Sequence, residues 1–335
     1  MTCERALSFL WSIALAVPCA AGCGGGERGD PDDTETDDTG GDTDADTDTD
    51  TDADAGADGG PDTDTGSFDC GDVPSAPLVI EQIGEAVGSY DVAFDSEGFL
   101  VGSDGISLFK TASNGNIGLF VSGLGSMYGL DYLPGGDLIA ATVGQGLTRI
   151  TPVGLSTNIA SSLSYVYGVT VGPDGMVYAA DESALYRVDP DTGETEMLTS
   201  SIPARVVDFS PDLEKMYIGS STGEIYVADL DDDFDIIGSP TVFVSAVAGC
   251  PMDMGGLGVD ICGNLYIECH HALKLLRVTP DGVVSLYHTW SEEYVHGLEW
   301  GSGIDGWDDE SIYMPQPYTG NYGVLRMEIG VPYRE

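Results

Sequence analysis

From residue 78 to residue 330 the chain alternates apolar and polar positions in short runs, each stopped by Gly, Pro, Asp or Ser. A period of two with such stops predicts short antiparallel strands. One skeleton returns six times, an alternating strand, a Gly turn and a second strand, beginning at residues 91, 129, 168, 206, 256 and 297. The spacings are therefore 38, 39, 38, 50 and 41 residues. A third strand follows in each unit, as at 184–188 and 224–228, and a fourth follows a turn such as 189–193. Four strands per 40 residues or so, repeated around an axis, predict an all-β fold: a six-bladed β-propeller of four-stranded antiparallel blades. The sixth unit stops after a third strand at 324–329, and residues 78–83 form an orphan strand ahead of the first unit. That N-terminal strand is predicted to complete the last blade, which removes the loose edges of an open array.

Charge divides the chain into parts. Residues 27–66 hold 17 carboxylates and one arginine, while residues 67–335 hold 39 acidic and 9 basic side chains. So acidic a folded region repels phosphate backbones, and nucleic-acid binding is excluded. Residues 24–66 contain no aromatic or large aliphatic side chain, so they are expected to be a disordered, self-repelling spacer. The Asp-x-Asp spacing there lacks the in-register glycine of a calcium loop. Residues 6–17 are apolar behind Arg5, the length of a signal peptide and too short for a span. They lead into Ala20, Ala21, Gly22 and Cys23, which resemble the lipobox of bacterial lipoproteins. The resemblance implies a signal peptide at 1–22, a lipidated Cys23 opening a linker over 23–66, and a propeller over 67–335. The chain is then exported and membrane-anchored, facing the periplasm or the cell exterior, and touches the bilayer through its acyl chains alone.

Residues 209–218 and 171–181 resemble strand motifs of the SMP-30/gluconolactonase-like six-bladed propellers and are similar to NHL-type repeats. The resemblance runs over residues 78–330. In that family a Glu, an Asn and an Asp just ahead of three innermost strands bind a divalent metal. Carried onto this chain, the three positions are Tyr90, Arg205 and Gly255. None offers a side-chain ligand to a hard cation, which wants six or more oxygens, and Arg205 adds a positive charge. No cofactor is therefore expected, apart from a divalent cation near Asp253 and His296. A lactone or ester hydrolase with a degenerate or relocated metal site, or one working through His296, is the enzymatic alternative.

Around the ring that same position reads Tyr90, Tyr128, Tyr167, Arg205, Gly255 and His296. A second ring, after each second strand, reads Asp104, Thr142, Asp181, Ser220, Cys269 and Gln316. Tyrosines offer an apolar face with a polar tip, and Arg205 a fork for carboxylate or phosphate. Tyr90, Tyr128, Tyr167, Arg205, His296 and Asp181 are thus the candidate ligand-binding residues of a polar cup with aromatic walls. Its occupant is a small sugar-like or anionic molecule, or an envelope protein, and a monomer is expected. The plainer reading has the tyrosines packed between blades. Of His270 and His271, adjacent on an extended chain, at most one joins His296. Residues 219–223 match the nucleophile-elbow spacing but join two strands, the wrong setting for a hydrolase.

Beyond Cys3, Cys19 and Cys23, four cysteines remain. Cys262 lies at the bottom of blade five and Cys269 at its top, about 15 Å apart at ~3.3 Å per residue, too far to bridge. Pairs Cys250–Cys269 and Cys70–Cys262 are predicted, consistent with an oxidising compartment. The alternative leaves Cys269 a free thiol beside the histidines.

Overall fold

The computed structural model describes residues 68–84, 86–245, 250, 254–291, 294–317 and 323–334. The expected signal peptide, Cys23, the acidic spacer and Asp253 lie outside the described residues.

Six four-stranded antiparallel sheets make up the fold. Blade one comprises Val92–Phe94, Phe99–Ser103, Ser107–Ala112 and Ile117–Ser122. Blades two to five open on Met127–Tyr132, Val166–Val171, Ala204–Phe209 and Met254–Val259. Blade six takes Glu299–Trp300, Ser311–Gln316 and Gly323–Glu328, and its fourth strand is Val79–Gln82 from the start of the propeller. Val79 lies opposite Glu328 and Gln82 opposite Leu325. The Leu78 N–H donates to Glu328 O at 2.8 Å and the Ile83 N–H to Val324 O at 2.9 Å. The ring closes as the count of strands predicts.

Burial follows position in the blade. Second strands such as Leu138–Thr142 and Leu265–Cys269 are buried at every residue, because neighbouring blades cover both faces. The outermost Val79–Gln82 is exposed along its length. The core therefore sits between blades. One cluster joins Tyr266 and Leu275 of blade five to Trp300, Ile312 and Met314 of blade six.

Near the axis the innermost strands nearly touch, which explains the glycine opening most repeats. A Cβ on Gly168 would lie 2.3 Å from Arg205 O of the next blade. Carboxylates tie these strands together across blade boundaries. Asp91 Oδ2 accepts from Leu130 N–H (2.9 Å), Asp131 Oδ2 from Val171 N–H (2.6 Å) and Asp208 Oδ2 from Val259 N–H (2.8 Å). Between blades three and four the Thr170 hydroxyl donates to Val207 O at 2.7 Å.

Both predicted disulfides form, with Cα atoms 5.5 Å apart in Cys70–Cys262 and 5.1 Å apart in Cys250–Cys269. Cys269 is therefore no free thiol. The chain also continues usefully past blade six. The Trp300 indole N–H donates to Val331 O at 3.0 Å, the Ile261 N–H donates to Pro332 O at 3.1 Å, and Tyr333 bridges to Asp260. This tail delivers Arg334 to the lower end of the axis.

Candidate functional site

Bulges aim the mouth residues. In blades two to five the ladder between first and second strands slips between Met127 and Leu130, Val166 and Gly168, Ala204 and Val206, and Met254 and Gly256. Tyr128, Tyr167, Arg205 and Gly255 sit at those slips. A bulge of this kind re-aims a side chain. Tyr90 and His296 lie just ahead of the innermost strands of blades one and six.

The structure brings these side chains together. The Tyr90 ring meets Tyr128 edge-on at 4.6 Å and His296 edge-on at 5.2 Å, and Tyr128 meets Tyr167 at 5.2 Å. The Arg205 guanidinium lies over Tyr167, 3.7 Å from the ring centroid. All five are half-buried. Burial pushes the Tyr128 and Tyr167 hydroxyls up from their ordinary range.

Asp181 behaves differently. Its carboxylate accepts from the Ser183 N–H (2.9 Å) and hydroxyl (2.7 Å), capping its own turn. The neighbour Glu182 reaches the mouth instead, accepting from the Tyr167 hydroxyl at 3.1 Å and from Arg205 at 3.3 Å. Most of the second ring lines no cup. Thr142, Ser220, Cys269 and Gln316 are buried, Thr142 bonded to Thr148, Ser220 to Thr222, and Cys269 held in its disulfide.

The gap left by Gly255 is filled from the second strand of its blade. A Cβ on Gly255 would stand 2.2 Å from Glu268 Oε2 and 3.3 Å from the His296 ring. Glu268 is fully buried and neither carboxyl oxygen has a hydrogen-bond partner. Burial raises it well above the usual carboxylate range, and the nearby Gly255 backbone offsets this only in part. His296 Nδ1 stands 3.0 Å from Tyr90 O, so it carries the proton and Nε2 the lone pair. Burial, then the neighbouring His270, lower His296 to about 3. His270 begins a short 3-10 turn, His270–Ala272, rather than an extended segment, and its ring is 5.1 Å from His296. His271 is exposed and stacks on His270 at 5.0 Å.

Behind the mouth lies a cavity of about 380 Å³ lined by Asp91, Asp131, Asp208, Glu299, Tyr333 and Arg334, among others. Arg334 bonds Asp208 Oδ1 and Phe209 O, and the Tyr333 hydroxyl donates to Asp208 Oδ1 at 2.9 Å. One guanidinium thus faces four carboxyl groups. Burial lifts Asp91 to about 8 against the pull of the Leu130 and Val92 N–H groups, and lifts Asp131 to about 6. Glu299 is raised well above its usual range by burial and then by Asp131, Asp91 and Asp208. In each case burial disfavours the charged form.

A divalent cation of the family type does not fit these residues. At the three metal positions stand a tyrosine stacked on Tyr128 and His296, a guanidinium paired to Glu182, and a glycine. Among the described residues no group of three His, Cys, Asp or Glu side chains is arranged to hold a metal ion.

Comparison with known proteins agrees with the fold. Residues 166–290 match the SMP-30/Gluconolactonase/LRE-like region. No curated protein matches the sequence. A gluconolactonase from Xanthomonas campestris superposes with a TM-score of 0.61 at 16% identity, over 77% of this chain and 92% of that one. Regucalcin from Agrobacterium tumefaciens, a calcium-binding protein, gives 0.63 at 17%, over 77% and 96%. An auxiliary nutrient binding protein from Bacteroides thetaiotaomicron gives 0.57 at 14%, over 74% and 69%. The blade count and the closing strand make this chain a six-bladed β-propeller, of which residues 166–290 are similar to the SMP-30/gluconolactonase-like region.

Proposed function

We propose that the chain is an envelope-anchored binding module whose mouth takes a small sugar-like ligand. The observation that carries this reading is the unbroken run Tyr90, Tyr128, Tyr167 and Arg205, with His296 beside Tyr90, over a cavity of about 380 Å³. Aromatic faces stack on the C–H faces of a sugar, and the carboxyl groups behind them can hydrogen-bond its hydroxyls. An anion suits the site less well, because Glu182 already meets Arg205. The likeness to a nutrient binding protein is one of fold and agrees with a binding role. Tyr167→Ala and Arg205→Ala are expected to abolish uptake of sugars in a calorimetric panel while leaving the melting temperature near that of the parent. Unchanged binding in both variants removes the mouth from the proposal.

The anchor belongs to the same proposal. Cys23 carries lipid, residues 24–66 hold the monomeric propeller off the membrane, and the two disulfides suit an oxidising compartment. Labelling with an alkyne fatty acid is expected to mark the parent and not Cys23→Ser; equal labelling refutes it.

One arrangement favours a lactone or ester hydrolase as the second reading. His296, with Nδ1 turned to Tyr90 O and Nε2 unprotonated, and the buried carboxyl of Glu268 both lie against Gly255. In this reading Nε2 takes the proton of an attacking water, while Tyr128 and Tyr167 hold the substrate ring. Screening lactones with and without divalent metal tests it; turnover lost in His296→Ala supports it, and absence of turnover rejects it.

A further inference from the structure

The two glutamates of the site have no structural duty that accounts for them. Asp91, Asp131 and Asp208 each tie one innermost strand to the next. Glu299 accepts no hydrogen bond among the described residues, yet it lines the cavity. Glu268 is fully buried with both oxygens unpartnered, and it points into the place that a side chain at Gly255 would occupy in the ring. A buried polar group without a partner calls for an explanation, and a ligand that partners it is one. Gly255 and Glu299 line the cavity, and Glu268 lies directly behind Gly255.

Acidic groups outnumber cations around that space. Arg334 is bonded to Asp208 and shares its charge with Asp131 and Glu299, and Arg205 lies against Tyr167 and Glu182 at the rim, so two guanidiniums stand against a larger number of acids. Arg205 also displays what the wall accepts: a cation 3.7 Å from a tyrosine face with a carboxylate at its edge. Tyr90 and Tyr128 offer the same kind of surface beside it.

Building on the sugar-like reading above, we propose that the ligand carries an ammonium group, received between the faces of Tyr90 and Tyr128 and the carboxyl groups of Glu268 and Glu299. The hydroxyls of such a ligand use the rim as a neutral sugar does. The ammonium supplies the donors that the two glutamates lack, and it relieves the crowding of acids around the axis. An ammonium beside them favours the ionised form that burial disfavours, and a hydrogen bond between charged partners is stronger than one between neutral groups.

The test uses matched sets of hexosamines, hexoses and hexuronic acids, titrated calorimetrically at pH 7 and low salt into the full-length protein. Each hexosamine is expected to bind about tenfold or more tighter than its parent hexose, and each hexuronic acid more weakly than either. In Glu299→Gln and in Glu268→Gln the ratio of hexosamine to hexose affinity is expected to fall to within about twofold. The ranking in the parent protein stands as a test even where a variant fails to fold. Hexoses binding as tightly as hexosamines overturn the ammonium proposal and leave the sugar-binding reading intact. Hexuronic acids binding tightest also overturn it. Absence of binding by all three sets overturns both.

Discussion

The two disulfides differ tenfold in the chain they enclose, and that difference fixes a measurable ratio. Cys70 and Cys262 are 192 residues apart, whereas Cys250 and Cys269 are 19 apart. If a cross-link acts by restricting the unfolded chain, its contribution grows with the logarithm of the enclosed length. That relation gives about 5 kcal/mol for the long link and about 3 kcal/mol for the short one. Direct substitution confuses the comparison, because Cys250 and Cys269 are buried and lose packing as well. Two double variants avoid this. Cys250→Ala with Cys269→Ala keeps only the long link, and Cys70→Ala with Cys262→Ala keeps only the short one. Each is unfolded in urea before and after complete reduction, followed by the fluorescence of the buried Trp290, Trp300 and Trp307. The loss on reduction within one variant then reports its remaining link. We expect the long link to exceed the short one by about 2 kcal/mol. Equal losses, or a larger loss for the short link, refute the entropic account and place the benefit in native contacts.

Three further outcomes are expected. Gly255→Ala puts a methyl 2.2 Å from Glu268 Oε2, and overpacking of this kind should cost about 1–3 kcal/mol, read as a fall in melting temperature. Arg334→Ala leaves the buried Asp208 without its cation, so urea unfolding should show a loss of about 3–5 kcal/mol; a loss below about 1 kcal/mol contradicts the tail's role. The third outcome concerns pH. Asp91 has a folded pKa near 8, above the 3.8 of the unfolded chain, so the unfolded state releases its proton first and stability falls as pH rises across that range. His296 runs the other way: its folded value near 3 lies below 6.5, so its contribution is complete above 6.5 and lost as pH falls toward 3. Between pH 6.5 and 8 the parent should therefore lose stability by up to about 1.4 kcal/mol per pH unit for each such acid. Asp91→Asn should show a shallower slope in urea titrations across that window, and an identical slope removes Asp91 as its source.

The architecture was legible in the chain because each blade repeats the same two constraints, alternation and a glycine where strands converge. The closing strand and both disulfides followed from counting strands and asking which ends lie together. The mouth ring was legible too, since one position per repeat occupies one place around the axis. Side chains arriving from elsewhere were harder to foresee. Glu268 belongs to a second strand, and nothing in its run marks it as the substitute for the missing side chain of Gly255. Glu182 replaces Asp181 at the rim because Asp181 is held by Ser183 two residues on, a local bond that competes with any reach outward. Arg334 lies past the last predicted strand, and only its bond to Asp208 reveals its place. The adjacency of a lone arginine and an isolated Val-Asp-Phe run is a matter of folding, invisible along the chain.

The covalent bond at Cys70 precedes the strand that seals blade six, and it is joined to blade five. Tension arriving from the N-terminal side is therefore passed to the body of the ring before it reaches Val79. The hydrogen bonds that hold Val79–Gln82 against its neighbour stay unloaded, so a pull applied ahead of Cys70 cannot peel the last strand away and unzip the circle. Reduction of that one bond makes the seam itself the point where the force is felt.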